Sequence, residues 1–284
     1  MCWIVPPRFL AIDIETTAGN PADAEEWARR CWSPSRQWKA ATIGERYLEV
    51  VAKKEEQLAL MDTAPILTVA LRTEADIRVL HWLSVDDSSV AGVPMERYPD
   101  EREMLRGLRN RLEMLTEETM LIGHNLKRFD LPKLRFRMLH AGLRLPQCLV
   151  YRDQPVYDTM AEWARFTVDD RQYVGLSELL DACGLGNYKC DITGRQVPDL
   201  FRAGQHATIL AYAALDVAAQ WNVAMRMLGM ADDQPTPQTC GASATGGHAA
   251  VEEAAAREVS AGANGTTPAA GQEIEAILQS LKVM

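Results

Sequence analysis

No apolar run in this 284-residue chain approaches the ~18 residues a membrane-spanning helix needs. The N-terminal stretch MCWIVPPRFLAIDIE lacks a signal-peptide pattern, because Pro6, Pro7 and Arg8 break a short apolar run and acids follow at once. Cysteine is sparse and scattered (Cys2, Cys31, Cys148, Cys183, Cys190, Cys240), and Cys183 and Cys190 stand too far apart for a CxxC pair. A zinc ribbon is excluded, and reduced thiols of a cytoplasmic protein are expected. A basic excess is missing too. Lys and Arg number 30 against 39 Asp and Glu, a net charge of −9, which argues against gripping nucleic acid by bulk electrostatics. The deficit is uneven. Residues 231–284 hold seven acids and two bases, a net of −5, so the first 230 residues carry −4. Acids that bind divalent metal would mask part of that remainder. No internal repeat is visible.

What is present suits one globular domain with appendages: 47% of residues are hydrophobic and 24% charged, and the length allows a full core. Residues 8–14 read as a buried strand entered through Pro6 and Pro7. Residues 21–33 and 41–60 read as helices, the first started by Asn20 and Pro21, the second carrying Ile43, Tyr47, Val50 and Val51 at helical spacing. Two strand-like runs follow at 65–73 and 77–84, joined by a polar turn. After a loop containing Gly and Pro, 100–116 reads as an amphipathic helix and 119–123 as a short buried strand. A helix then starts near Asp130 with Pro132 in its first turn, and helical patterns recur at about 158–165, 175–183 and 205–229. This order predicts an α/β fold, a mixed central sheet flanked by helices. Residues 231–272 are poor in large apolar residues and are expected to form a disordered linker. Residues 273–284 regain apolar spacing at Ile274, Ile277, Leu278 and Leu281. A short helix there either docks on a protein partner or packs on the chain's own core.

Four acids carry the chemistry: Asp13 and Glu15 in FLAIDIETT, Asp130 in GHNLKRFDLPKL, and Asp216 in ILAYAALDVAAQW. Asp13 and Glu15 are two apart, so on a strand both carboxylates face one way. Acids at the end of a core strand are costly unless a metal or partner neutralises them. Asp130 opens a helix, where the dipole favours a negative charge and phosphates can bind. Tyr212 lies four residues before Asp216, so on a helix the phenol and the carboxylate share a face. Ala211, Ala213, Ala214, Ala218 and Ala219 let that helix approach a sheet closely. Hard oxygen ligands from separate elements are what a two-metal phosphodiesterase site needs.

Together these segments resemble the DEDD superfamily of 3′–5′ exonucleases on a ribonuclease H-like fold. D-x-E-T matches Asp13, Glu15 and Thr16. N-x(2–3)-F-D matches Asn125, Phe129 and Asp130. Y-x(3)-D matches Tyr212 and Asp216 and places the chain in the DEDDy branch. The details are similar to stand-alone exonucleases related to the proofreading domain of family B DNA polymerases. The resemblance spans roughly residues 8–230, with about 20–62 as a helical insertion and 1–230 as the exonuclease domain. It implies removal of nucleotides from the 3′ end of DNA, preferably single-stranded. RNA is the alternative substrate, and a non-catalytic nucleic-acid-binding module is disfavoured because all four acids and the tyrosine are present. Asp13, Glu15, Asp130 and Asp216 would hold two Mg²⁺ or Mn²⁺ ions about 3.5–4 Å apart, with Tyr212 orienting the attacking water. Thr16, Asn125 and Phe129 resemble the family's strand-end ligands, although Phe129 fits the core as well as a base stack. Asp158 is expected to support its neighbours rather than bind metal, and Lys189 to be a solvated loop residue more than a phosphate contact. His124 and His206 are set aside, since a histidine branch would need histidine at position 211, which is Ala. No polymerase region follows the exonuclease. Proofreading would therefore act in trans, tethered through the C-terminal segment.

Overall fold

The computed structural model describes residues 6–85, 89–90, 92–168, 173–186 and 192–231. The expected linker at 231–272 beyond its first residue, the expected helix at 273–284 and Lys189 lie outside the described residues. The seven strands are β1 (Phe9–Thr16), β2 (Ile66–Arg72), β3 (Ile77–His81), β4 (Ser89–Val90), β5 (Val93–Arg97), β6 (Met120–Gly123) and β7 (Val156–Asp158). They form one mixed sheet in the order β4-β5-β3-β2-β1-β6-β7. β1, β2 and β3 are antiparallel neighbours, while β6 and β7 continue parallel to β1. The carboxyl ends of β1, β6 and β7 therefore share one edge, where open α/β sheets place ligands.

Helices cover both faces. On one lies α9 (His206–Met227), which crosses β1, β2, β3 and β6. On the other lie α3 (Glu101–Leu112) and α4 (Asp130–His140). The alternation of β1 divides the core. Phe9 and Ala11 pack with Ala213, Ala214, Val217 and Ala218 of α9, whereas Leu10, Ile12 and Ile14 pack with Leu105, Leu108, Leu134 and Met138 of α3 and α4. The alanines of α9 permit the close approach expected of them. Arg72, buried on β2, sits over the Trp221 ring at 5.3 Å and donates to the Ala218 carbonyl, which fixes the helix further. This is a ribonuclease H-like α/β fold.

The remaining helices are α1 (Pro21–Cys31), α2 (Ala40–Glu55), α5 (Gln147–Val150), α6 (Thr159–Trp163), α7 (Leu176–Ala182) and α8 (Val197–Arg202), with a 3₁₀ turn at Leu58–Leu60. Asn20 caps α1 by accepting from the Ala22 amide, and Asp100 caps α3 by accepting from Glu103. The apolar stripe of α2 is only half-buried, because this helix packs on α1 and not on the sheet. Three strands differ from the sequence expectation. β4 and β5 lie in the stretch read as a loop. Pro94 and Gly92 mask the alternation of Val93 and Met95, and parallel pairing with β3 creates the strand. β7 is only three residues long, and its burial comes from β6. No helix of the described residues is long and apolar enough to cross a membrane.

Candidate active site

The face of β1 that carries Phe9 and Ala11 continues with Asp13 and Glu15, so both carboxylates point at α9. Asp216 on α9 meets them there. Oxygens of Asp13, Glu15 and Asp216 all lie within 4.8 Å of one another, and all three residues are buried. Carboxylates this close and this dry repel each other when ionised, and a divalent cation removes the penalty. Three hard oxygen donors suit Mg²⁺ or Mn²⁺ rather than a soft metal. The set therefore fits the ions that the motifs imply.

Tyr212, one turn before Asp216, is buried at the same place. Burial first, then the carboxylates of Asp216, Glu15 and Asp13, raise its phenol far above the ordinary tyrosine range. The protonated phenol is a hydrogen-bond donor toward these carboxylates. Gln220, one turn beyond Asp216, completes a stripe of i, i+4, i+8 on α9, and its Nε2 donates to Oδ1 of Asp13. Sequence reasoning missed Gln220. The continued four-residue spacing after Tyr212 and Asp216 is the signal that would have found it.

Asp130 reaches the site by a different route. β6 ends at Gly123, so β1 loses its neighbour after Ala11, and the Ile14 amide turns to Oδ1 of Asp130 at 3.2 Å. Asp130 is buried but is not among the three acids that cluster within 4.8 Å. Burial pushes its carboxyl up to about 8, against the lowering effect of the amides of Asp130 and Ile14, with the charge of Asp158 adding to the rise.

The loop before Asp130 is tightly specified. A Cβ on Gly123 would lie 2.8 Å from Cβ of Leu126, so the chain folds back only with glycine there. Asn125 has φ 63°, a left-handed conformation that asparagine tolerates better than most residues. Asp158 clamps the loop from β7, accepting the amides of Asn125 and Lys127, each at 2.9 Å, while it also caps α6 through Ala161. Asp158 thus supports its neighbours, and its carboxylate is occupied by backbone amides. The carbonyl of Asn125 accepts from Arg128 and Phe129, and its Oδ1 is buried with no hydrogen-bond partner. Phe129 is half-buried against the core on the α3 and α4 side, with the Lys133 ammonium 6.0 Å from its ring centroid. Thr16 is buried, and its hydroxyl donates to the Ala59 carbonyl at 2.8 Å. His124 is held between Thr159 and the Val174 carbonyl, and His206 accepts from the Ser84 amide and stacks on Phe201.

Compared with models of known families, residues 64–240 match the one described as "Predicted 3'-5' exonuclease related to the exonuclease domain of PolB". The chain belongs to this family. The match covers more than half of the sequence and includes Asp130, Tyr212 and Asp216. It begins later than the resemblance in the motifs had suggested, so Asp13 and Glu15 lie outside it. The fold alone brings those two acids to Asp216. No curated protein sequence matches the chain. As a member of this exonuclease family the protein is a nuclease-like domain with nucleic acid as its implied substrate.

Proposed function

We propose that this protein removes nucleotides from the 3′ end of DNA, preferably single-stranded, by two-metal hydrolysis. The observation that carries this reading is the meeting of Asp13, Glu15 and Asp216 beneath Tyr212. In this reading Asp13, Glu15 and Asp216, with Asp130 beside them, hold two Mg²⁺ or Mn²⁺ ions. Those ions, when bound, supply an activated water and a charge clamp for the leaving 3′ oxygen. The chain's own residues do the rest. Gln220 holds Asp13 in one orientation through its amide. Tyr212 keeps its proton and points it at the cluster, where it orients a water nucleophile without removing its proton. Asn125 presents a buried side-chain oxygen, Oδ1, without a donor, suited to a sugar hydroxyl, and Phe129 offers a half-exposed ring. Thr16 would contribute through its backbone or by giving up its bond to Ala59. The same reading takes residues 1–230 as the exonuclease domain, with about 20–62 inserted and the C-terminal segment as a tether to a protein partner.

Purified protein with Mg²⁺ or Mn²⁺ and 5′-labelled DNA and RNA oligonucleotides of matched sequence tests the proposal. A descending ladder on DNA that vanishes in Asp13→Ala and Asp216→Ala is expected. A ladder on RNA alone would move the substrate to the alternative. No degradation of either with either metal, or activity untouched by those changes, would overturn the reading.

A further inference from the structure

We propose that the tip of the α1–α2 hairpin binds single-stranded nucleic acid and grips the strand whose 3′ end lies at the carboxylate cluster. The inference rests on the nuclease reading above and adds a second surface to it. Between Glu26 and Glu45 the chain has no acid, in a protein of net charge −9. The charged residues of that stretch are Arg29, Arg30, Arg36 and Lys39, and Trp27, Trp32 and Trp38 are interleaved with them. Cations that track phosphates, alternating with aromatic rings that take base faces, are how proteins hold single strands without reading sequence.

The packing leaves this chemistry open. Trp32 meets Tyr47 edge-on at 5.6 Å and Trp38 at 6.5 Å with a 32° tilt, so the inner ring faces hold the hairpin together. Trp38 nevertheless stays 41% exposed, flanked by exposed Arg36 and Lys39. Arg29 and Arg30 face Glu25 and Glu26 one turn back on α1. No residue of α2 is buried and α1 buries Ala24 and Ala28, so the tryptophans lie outside the core of the domain. Trp27 lies under the Lys54 ammonium at 4.1 Å and Trp32 is held by Tyr47 and Trp38, so Trp38 is the ring left with an open face for a base.

The root of the hairpin is bolted to the site. Thr16, next to Glu15, donates to Ala59, and Lys133, one turn from Asp130, donates to Met61. Thr63 donates to Asp23 at 2.7 Å and joins the two ends of the hairpin. The 11 residues of α1 rise about 16 Å from that root, some five stacked nucleotides at ~3.4 Å each.

Binding is read without cleavage, by anisotropy of a labelled single-stranded DNA of about twenty nucleotides in EDTA, with the full chain. Trp38→Ala should weaken binding about tenfold, and Trp38→Phe should restore most of it. Arg36→Ala with Lys39→Ala should make the slope of log affinity against log salt shallower by about 1.4. Hydrolysis of the p-nitrophenyl ester of thymidine 5′-phosphate with Mg²⁺ or Mn²⁺ should stay at the wild-type rate in all three variants, because that substrate cannot reach the tip. Wild-type affinity and salt slope in the variants, with helix content retained by circular dichroism, would overturn the inference. Failure of the wild-type protein to hydrolyse the ester would count against the nuclease reading, and the anisotropy comparison would still decide the hairpin.

Discussion

At the scale of single residues, the site is a set of groups whose ionisation is controlled by burial. Burial and the carboxylates of Asp216, Glu15 and Asp13 disfavour ionisation of Tyr212, so in the proposed mechanism it acts through a proton it keeps. Tyr212→Phe is expected to lower the single-turnover rate of strand cleavage about a hundredfold, the cost of a misplaced nucleophile, while the affinity for strand is kept. His81 shows the same physics away from the site. It is buried on β3, and burial, then Arg97 and His206, lower it to about 4 against the raising effect of the Leu83 backbone. The unfolded chain takes up this proton near pH 6.5, and the folded protein refuses it until about pH 4. The stability it contributes is complete above pH 6.5 and is lost as pH falls towards 4. Urea melts at pH 7 and 4.5 should therefore differ by about 2 kcal/mol from this group, and His81→Leu should remove that part of the difference. Asp13, Glu15 and Tyr212 were legible because period 2 and period 3.6 place them on one face each. Gln220 was not, because an amide on a helix has no chemistry until Asp13 is seen against it.

At the scale of elements, the decisive object is the loop from Gly123 to Asp130, pinned by an acid from another strand. Asp158→Ala would leave the amides of Asn125 and Lys127 without their acceptor. It is expected to cost about 1–3 kcal/mol in urea unfolding and to reduce cleavage by shifting Asp130. Gly123→Ala brings a methyl against Leu126 and should displace the same loop at a similar cost. The long elements were readable from composition: β1, α3, α4 and α9 carry an apolar pattern through their whole length. β5 and β7 were not. At five and three residues, with Pro94 in one, they acquire strand geometry only from β3 and β6. The role of Asp158 followed the same rule. Its carboxylate was expected to be supportive, and only the pairing of β7 with β6 shows which amides it holds.

At the scale of the whole molecule, the proposed metal site would link stability to metal through the cluster. Buried like charges oppose folding without a cation, so an ion that binds only the folded state stabilises it by mass action. Mg²⁺ or Mn²⁺ at a hundredfold excess over its dissociation constant should raise the stability of the wild-type protein by about 2.7 kcal/mol, and EDTA should reverse this. In a protein carrying both Asp13→Asn and Asp216→Asn the melting temperature should no longer respond to metal, because two of the three close carboxylates are gone. A response that survives both changes would place the ion elsewhere.

The sequence by itself determined the fold class, the long elements and the identity of the acids, because those follow from periodicity and from residue chemistry within short windows. The tertiary structure alone decided which groups meet. Asp13 and Glu15 are some 200 residues from Asp216, and the alanine face of α9 seated on β1 brings the three within 4.8 Å. The same packing recruited Gln220 to Asp13, while the end of β6 at Gly123 freed the Ile14 amide for Asp130 of α4. No local rule fixes such distances, since they depend on how closely two elements far apart in the chain pack together.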